Sequence, residues 1–218
     1  MTWIKPVVRE IAYDRAMADR LSSLKHWLGT GSLNLFGRPF AGKDTQGRLL
    51  AAALGAPLIG GGDILRSHHE PARIQAILDA GGMIPHDVYL EMLIPYLSRD
   101  EYAGKPLVLS SVGRSEGEEA TIMHACEASG HPLRAVVELT LDEAEVWARF
   151  EAAKHLHDRD GRADDNRITL KNRLQEYHDK TLPVLEYYRT HGLLVEVDGR
   201  LSREAVLSEI IGALPLHN

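Results

Sequence analysis

Apolar residues in this chain fall into short runs separated by longer stretches of helical periodicity. Leu33-Asn34-Leu35-Phe36, Pro57-Leu58-Ile59, Pro106-Leu107-Val108-Leu109, Leu133 to Leu139 and Leu193 to Val197 read as strands. Between them, helical segments are expected at Thr45 to Leu54, around Pro71 to Ala80, at Pro85 to Leu97, Glu116 to Ser129, Leu141 to Ala153 and Arg203 to Ala213. Asp164 to Thr190 reads as one longer helical stretch, and Pro183, which lacks an N–H, marks a bend or break in it. Ahead of the first strand, Met17, Leu21, Leu24 and Leu28 recur at helical spacing, with Arg20 and Lys25 elsewhere on the wheel. Residues 1–30 therefore read as an N-terminal helical extension. Packing on the flank of the domain and pairing with a partner or second copy both fit that pattern. Strands alternating with helices predict an α/β fold: a central parallel sheet, covered on both faces, with ligands at the C-terminal ends of the strands.

Composition narrows the function. A chain of 218 residues suits one well-buried α/β domain with small insertions. The net charge of −6 argues against a general nucleic-acid binder, which needs a basic surface, but leaves room for a local basic pocket. The single cysteine, Cys126, has no partner for an intramolecular disulfide and sits in a helical context where it is expected to pack. No run approaches the roughly 18 apolar residues of a membrane span. The N-terminus mixes Lys5 and Arg9 with Glu10 and Asp14 and lacks an apolar core, so no secretory signal is read and the cytoplasm is the expected compartment.

The chemistry begins after the first strand. Gly37-Arg38-Pro39-Phe40-Ala41-Gly42-Lys43 has the spacing Gly-x4-Gly-Lys and runs into Asp44-Thr45-Gln46 and a helix. In a strand–loop–helix of this kind, backbone N–H groups point inward, the helix N-terminus adds positive potential and the lysine reaches terminal phosphates. The residue after the lysine is Asp44, with a hydroxyl only at Thr45.

Further motifs follow in order: Gly62-Asp63-Ile64-Leu65-Arg66, Gly81-Gly82-Met83-Ile84-Pro85-His86-Asp87, Arg114-Ser115, Arg162-Ala163-Asp164-Asp165, then Arg173-Leu174, Tyr177, Thr181, Pro183, Tyr187-Tyr188 and Asp198-Gly199. In this register the chain from about Leu33 to its C-terminus resembles the adenylate kinase family of nucleoside monophosphate kinases. The resemblance implies a three-layer P-loop NTPase fold with a small helical monophosphate-binding insertion near 61–90 and a short lid near 150–162. Only twelve residues separate Arg149 from Arg162, which is similar to the short-lid type. It implies ATP as donor, a nucleoside monophosphate as acceptor with AMP the first expectation, magnesium as cofactor, and closure of lid and insertion over both substrates.

The same resemblance distributes roles. Lys43, Arg114, Arg162 and Arg173 would be catalytic. Gly37, Pro39, Ala41, Gly42, Lys43, Asp44, Thr45, Arg149 and Arg200 would bind ATP, Arg149 by stacking on the donor base. Gly61, Arg66, Ile84, Arg114 and Glu118 would bind the acceptor, where guanidinium forks suit phosphate oxygens. Asp63, through water, and Thr45 would face the metal. A monomer without nucleic-acid or membrane partners is expected, with dimerisation through residues 1–30 as the alternative. His155-Leu156-His157-Asp158 lacks a second ligand pair at zinc spacing, and these histidines, like His68-His69, are expected to be solvated.

The chain departs from the family pattern at four places. Phe40 stands where the family has a loop glycine, although a positive φ there would suit glycine alone. Ser110 stands where the family has a strand-end aspartate that holds metal-bound water; Asp63 remains, and Asp44, unusual in the loop, is a candidate to compensate. Gly60-Gly61 replaces a serine–threonine pair facing the acceptor base. Glu118 replaces a glutamine that reads adenine. An ionised carboxylate only accepts hydrogen bonds and suits the donor edge of guanine, so GMP, another same-fold acceptor, or a binding module with impaired turnover stay open. Equally, Glu118 fits as an acid in the first turn of a helix.

Overall fold

The protein is seen in a computed structural model that describes residues 15–67, 72, 74–76, 85–156 and 166–215. In chain order its elements are α1 (Arg15–Leu28), β1 (Ser32–Gly37), α2 (Lys43–Leu54), β2 (Leu58–Gly60), α3 (Gly61–Ser67), α4 (His86–Leu97), β3 (Leu107–Ser110), α5 (Glu119–Ala128), β4 (Leu133–Thr140), α6 (Glu143–Leu156), α7 (Arg167–Glu176), a π-helical turn (Tyr177–Thr181), α8 (Leu182–Thr190), β5 (Leu194–Asp198) and α9 (Arg203–Ala213). Most of the helix expected around 71–80, the motif residues 81–84 with Ile84, and the span 157–165 with Arg162 lie outside the described residues.

Among the described residues the strands form one five-stranded sheet in the order β2-β3-β1-β4-β5, and every neighbouring pair is parallel. This is the parallel α/β architecture that the alternation of strands and helices predicts, and it agrees with the fold that the resemblance implies. The chain moves outward from β1 to β2, returns to β3 beside β1, then crosses to β4 and β5. That reversal opens the crevice at the C-terminal end of β1, where ligands of such sheets bind. The register sets Leu35 opposite Ser110 and Gly37 opposite Leu139, so β3 ends two residues short of β1 and leaves the end of β1 open on that side.

Side-chain alternation assigns the layers. Leu33 and Leu35 of β1 face one layer, where they join Leu24 and Leu28 of α1, Leu49 and Leu50 of α2, and Leu207 and Ile210 of α9. Phe36 enters the opposite layer with Val136, Val184, Leu185 and Tyr188. Beside it, Leu107 and Leu109 of β3 pack with Ile64, Tyr89, Leu93, Ile122 and Cys126. Each fully buried aliphatic side chain contributes about 1.5–3 kcal/mol, and these layers hold the sheet. The α1 stripe read from the sequence thus lies on the core of the domain.

Element boundaries differ from the sequence expectation where side chains meet backbone. α5 starts at Glu119 rather than Glu116, because Gly117 turns left-handed at φ 91°. The acids there fold back, Ser115 N donating to Glu118 Oε2 at 3.1 Å and Gly117 N to Glu119 Oε2 at 2.8 Å. The long 164–190 stretch is broken: Asn166 caps α7 by accepting from Ile168 N and Thr169 N, both at 2.9 Å. The π turn then widens the path just before Pro183, whose missing N–H sits harmlessly in the first turn of α8.

Two polar contacts anchor the apolar frame. Arg20 of α1 donates to Ile211 O at 3.1 Å, Gly212 O at 2.5 Å and Leu214 O at 3.0 Å, capping the carbonyl end of α9. Replacement of Arg20 by alanine is expected to lower unfolding stability by about 1–2 kcal/mol, checked by urea denaturation. On β4, buried Glu138 accepts from the Tyr177 hydroxyl at 2.7 Å. Burial raises the Glu138 carboxyl above its ordinary value, an effect that Glu196 adds to and Arg189 and Arg38 oppose. The folded state therefore holds this proton more tightly than the unfolded chain. Its stabilising contribution is complete below the ordinary carboxylate range and is lost as pH rises through the raised value. Glu138→Gln is expected to melt above the wild type at about pH 8, the gap closing towards about pH 4.

Candidate active site

The site grows from β1. At Gly37 an added Cβ would meet Leu139 O at 3.1 Å and Ala41 Cβ at 3.2 Å, so a side chain there would push the loop and β4 apart by a few tenths of an ångström. The loop then bends at Pro39, closes a turn through Ala41 N donating to Arg38 O at 3.1 Å, and enters α2 through Gly42 at φ 90°. Gln46 N donates to Gly42 O at 2.9 Å, starting the helix at Lys43, two residues before the expected Thr45.

Phe40 has φ 66°, the left-handed conformation that the glycine-like position demands and that costs a bulky residue about 1–2 kcal/mol. Two contacts offset that cost. The Phe40 ring meets Phe150 of α6 edge-on at 5.6 Å. Its carbonyl accepts from Arg149 Nη1 at 3.3 Å. Arg149 also donates from Nη2 to Gly199 O at 2.8 Å and from Nε to Glu145 Oε1 at 2.8 Å. Gly199 in turn lies so close to the loop that a Cβ would stand 3.3 Å from Ala41 O. Arg149 thus joins the phosphate loop, the β5–α9 turn and α6.

Lys43 points to the end of β3. Its Nζ donates to Asp44 Oδ1 at 2.5 Å and to Ser110 Oγ at 2.8 Å, and Ser110 Oγ donates to Asp44 Oδ1 at 3.3 Å. Asp44 stands beside Ser110, bringing a carboxylate to the strand end that serine leaves uncharged. Thr45 follows, half-buried, in the first turn of α2. Among the described residues no group of three His, Cys, Asp or Glu side chains is placed to hold a metal. Magnesium held with substrate phosphates needs only one or two protein carboxylates, and the oxygens of Asp44 and Ser110 fit that requirement.

The residues expected on the acceptor side lie along β2 and β3. Gly61 opens α3, and Asp63 accepts from Gly60 N at 2.9 Å and from Arg66 Nη2 at 2.6 Å, so the expected metal-facing acid is engaged with the arginine of its own motif. Past Ser110 the backbone is gripped by the buried side chain of Asn34. Its Nδ2 donates to Val112 O at 2.7 Å, and its Oδ1 accepts from Val112 N at 3.3 Å. This fixes the loop carrying Arg114, whose side chain is exposed. Thr181 of the π turn donates to Arg114 O at 3.4 Å, tying that loop to the segment after half-buried Arg173. Glu118 is buried beneath the same loop, its carboxyl raised chiefly by burial while the Ser115 and Arg114 N–H groups oppose the shift. Arg200 is engaged with Asp198 at 2.7 Å, a contact that holds the Asp198 carboxyl down at about 2.

Two contributors carry no sequence motif. Asn34 reads as one polar position in an apolar strand, and Arg38 as a variable loop residue. Arg38 donates to Leu141 O at 2.5 Å and stands 5.5 Å over the Tyr177 ring, connecting the phosphate loop to the π turn.

The model of the adenylate kinase family matches residues 35–193. The adenylate kinase of Clavibacter michiganensis subsp. michiganensis is 33% identical over 189 residues, covering 84% of this chain and 92% of the relative. That of Thermus thermophilus is 32% identical over 183 residues, covering 82% and 94%. That of Rhizobium meliloti is 33% identical over 186 residues, covering 82% and 96%.

Arg149 has a structural task that precedes any ligand. Arg149→Ala is expected to lower stability by about 1–3 kcal/mol in the absence of nucleotide, because two loop carbonyls lose their donor and Phe40 its support. Denaturant unfolding of the nucleotide-free protein checks this.

Proposed function

Given that the chain belongs to the adenylate kinase family and is a nucleoside monophosphate kinase, we propose that it transfers the γ-phosphoryl group of ATP to AMP, giving two molecules of ADP. An oxygen of the AMP phosphate attacks the γ-phosphorus, the bond from that phosphorus to the β–γ bridging oxygen breaks, and ADP leaves with the electron pair. The observation that carries this reading is the glycine-bounded loop at the switch point of the sheet, with Lys43 directed to the end of β3. Neither reactant needs covalent help from the protein, so the site acts by positioning and charge neutralisation.

Lys43 meets the β- and γ-phosphates of ATP, with the N–H groups of the loop and the N-terminus of α2 around them. Arg66 and Arg114 take the phosphate of the acceptor, and Arg162 and Arg173 approach the transferring group from the other side. Arg149 and Arg200 line the donor end. Thr45, Asp44 and Ser110 would hold magnesium, with Asp63 contributing through water. The metal, when bound, neutralises charge on the β- and γ-oxygens. Gly61 and Ile84 complete the acceptor pocket. Glu118 supports AMP over GMP, because one of its oxygens is engaged by Ser115 N and the side chain is buried.

Diphosphate production from ATP and magnesium with AMP, GMP, CMP or UMP tests this, with Lys43→Ala as control. Turnover with AMP is expected to exceed the others, and a preference for GMP would make Glu118 the base reader. ATP binding without turnover on any acceptor would favour a non-catalytic module. Arg114→Ala is expected to lower turnover roughly 100-fold or more with an unchanged melting temperature, since its side chain is exposed and acts on charge in the transition state.

A further inference from the structure

Lys43 is already satisfied before any phosphate arrives. Two of the three donors of its ammonium group are directed at Asp44 Oδ1, 2.5 Å away, and Ser110 Oγ, 2.8 Å away, and the serine hydroxyl closes the ring onto the same carboxylate oxygen at 3.3 Å. The exposures are unequal: 57% for the Asp44 side chain against 21% for Lys43. An incoming triphosphate therefore meets the carboxylate before the ammonium. To reach Lys43 a bare triphosphate must compete with Asp44 and then lie beside its negative charge. A triphosphate carrying a divalent cation faces the opposite balance, because the carboxylate exchanges the ammonium for the cation and releases Lys43 to the phosphate oxygens. Ser110 has no charge and cannot make that exchange alone.

We infer that Asp44 makes capture of the donor conditional on a divalent cation: the site admits the metal–ATP complex and rejects metal-free ATP. This rests on the donor-site reading above and adds to it a selectivity set by one residue. The carboxylate serves as counter-ion to Lys43 in the empty site and as metal-facing oxygen in the filled one. Its place in the first turn of α2 favours the negative charge on which both tasks depend.

Calorimetric titration of the whole chain with ATP, in excess magnesium and separately in EDTA, tests it. The wild type is expected to bind the magnesium complex about tenfold or more tightly than metal-free ATP, the size of one charge–charge interaction at a partly exposed site. Asp44→Asn keeps the shape and removes the charge. It is expected to gain affinity for metal-free ATP and to bring the two affinities within about threefold of each other. Asp44→Ala serves as the second variant, with thermal melting confirming the fold of each. A ratio unchanged in both variants overturns the role of Asp44 while leaving the kinase reading intact. Equal affinities in the wild type do the same. Absence of ATP binding by the wild type in magnesium overturns the donor site itself, and this inference with it.

Discussion

The phosphate loop must pass through left-handed backbone at both Phe40 and Gly42, and the rest of the site is arranged around holding it there. Gly42 takes that conformation freely; Phe40 does not. The phenylalanine persists because Arg149 holds its carbonyl and Phe150 receives its ring edge-on. Both supports come from α6, the helix that leads towards the expected lid. Trp147 packs edge-on against Phe150 at 5.9 Å, and Arg167 of α7 stands 5.0 Å over the Trp147 ring. A chain of contacts therefore runs from the loop through α6 to α7. With glycine in place of Phe40, the loop would be relaxed and would keep the Arg149 contact to its carbonyl, but would lose the ring contact to Phe150.

The cationic side chains share a second regularity. Lys43 is paired with Asp44, Arg66 with Asp63, Arg149 with Glu145 and Arg200 with Asp198. An acidic protein thereby carries these cations around the loop without accumulating a bare positive field. Exposed pairs of this kind are each worth about 0–1 kcal/mol, so they orient these side chains while adding little to the stability of the fold. The pairs hold the long side chains in defined directions.

Much of this was legible in the sequence, because the signals were short-range. Apolar runs such as Leu107-Val108-Leu109 mark strands buried on both faces, and the spacing of Gly37, Gly42 and Lys43 marks the phosphate loop. Pro183 announced a break, since a missing N–H has a local consequence. The form of the break, a π turn, depends on how Tyr177 reaches Glu138 and how Thr181 reaches Arg114 across the fold. α5 began late because backbone groups found the carboxylates of Glu118 and Glu119, a competition invisible to periodicity. The carbonyls held by Arg149 lie 109 and 50 residues away along the chain, and nothing in the sequence around residue 149 foretells them.

Cys126 lies fully buried in the layer beneath β3, among Ile64, Tyr89, Leu93 and Ile122, with its thiol pushed up to about 11 by burial. An alkylating reagent needs the thiolate, which the closed layer both hides and disfavours. Modification therefore waits on opening of the packing between α4, α5 and the sheet. As the only cysteine in the chain, Cys126 makes the native protein its own clock. Its labelling rate counts how often the packing beneath β2 and β3 comes apart, and a ligand that stabilises that packing would slow the count without any engineered probe.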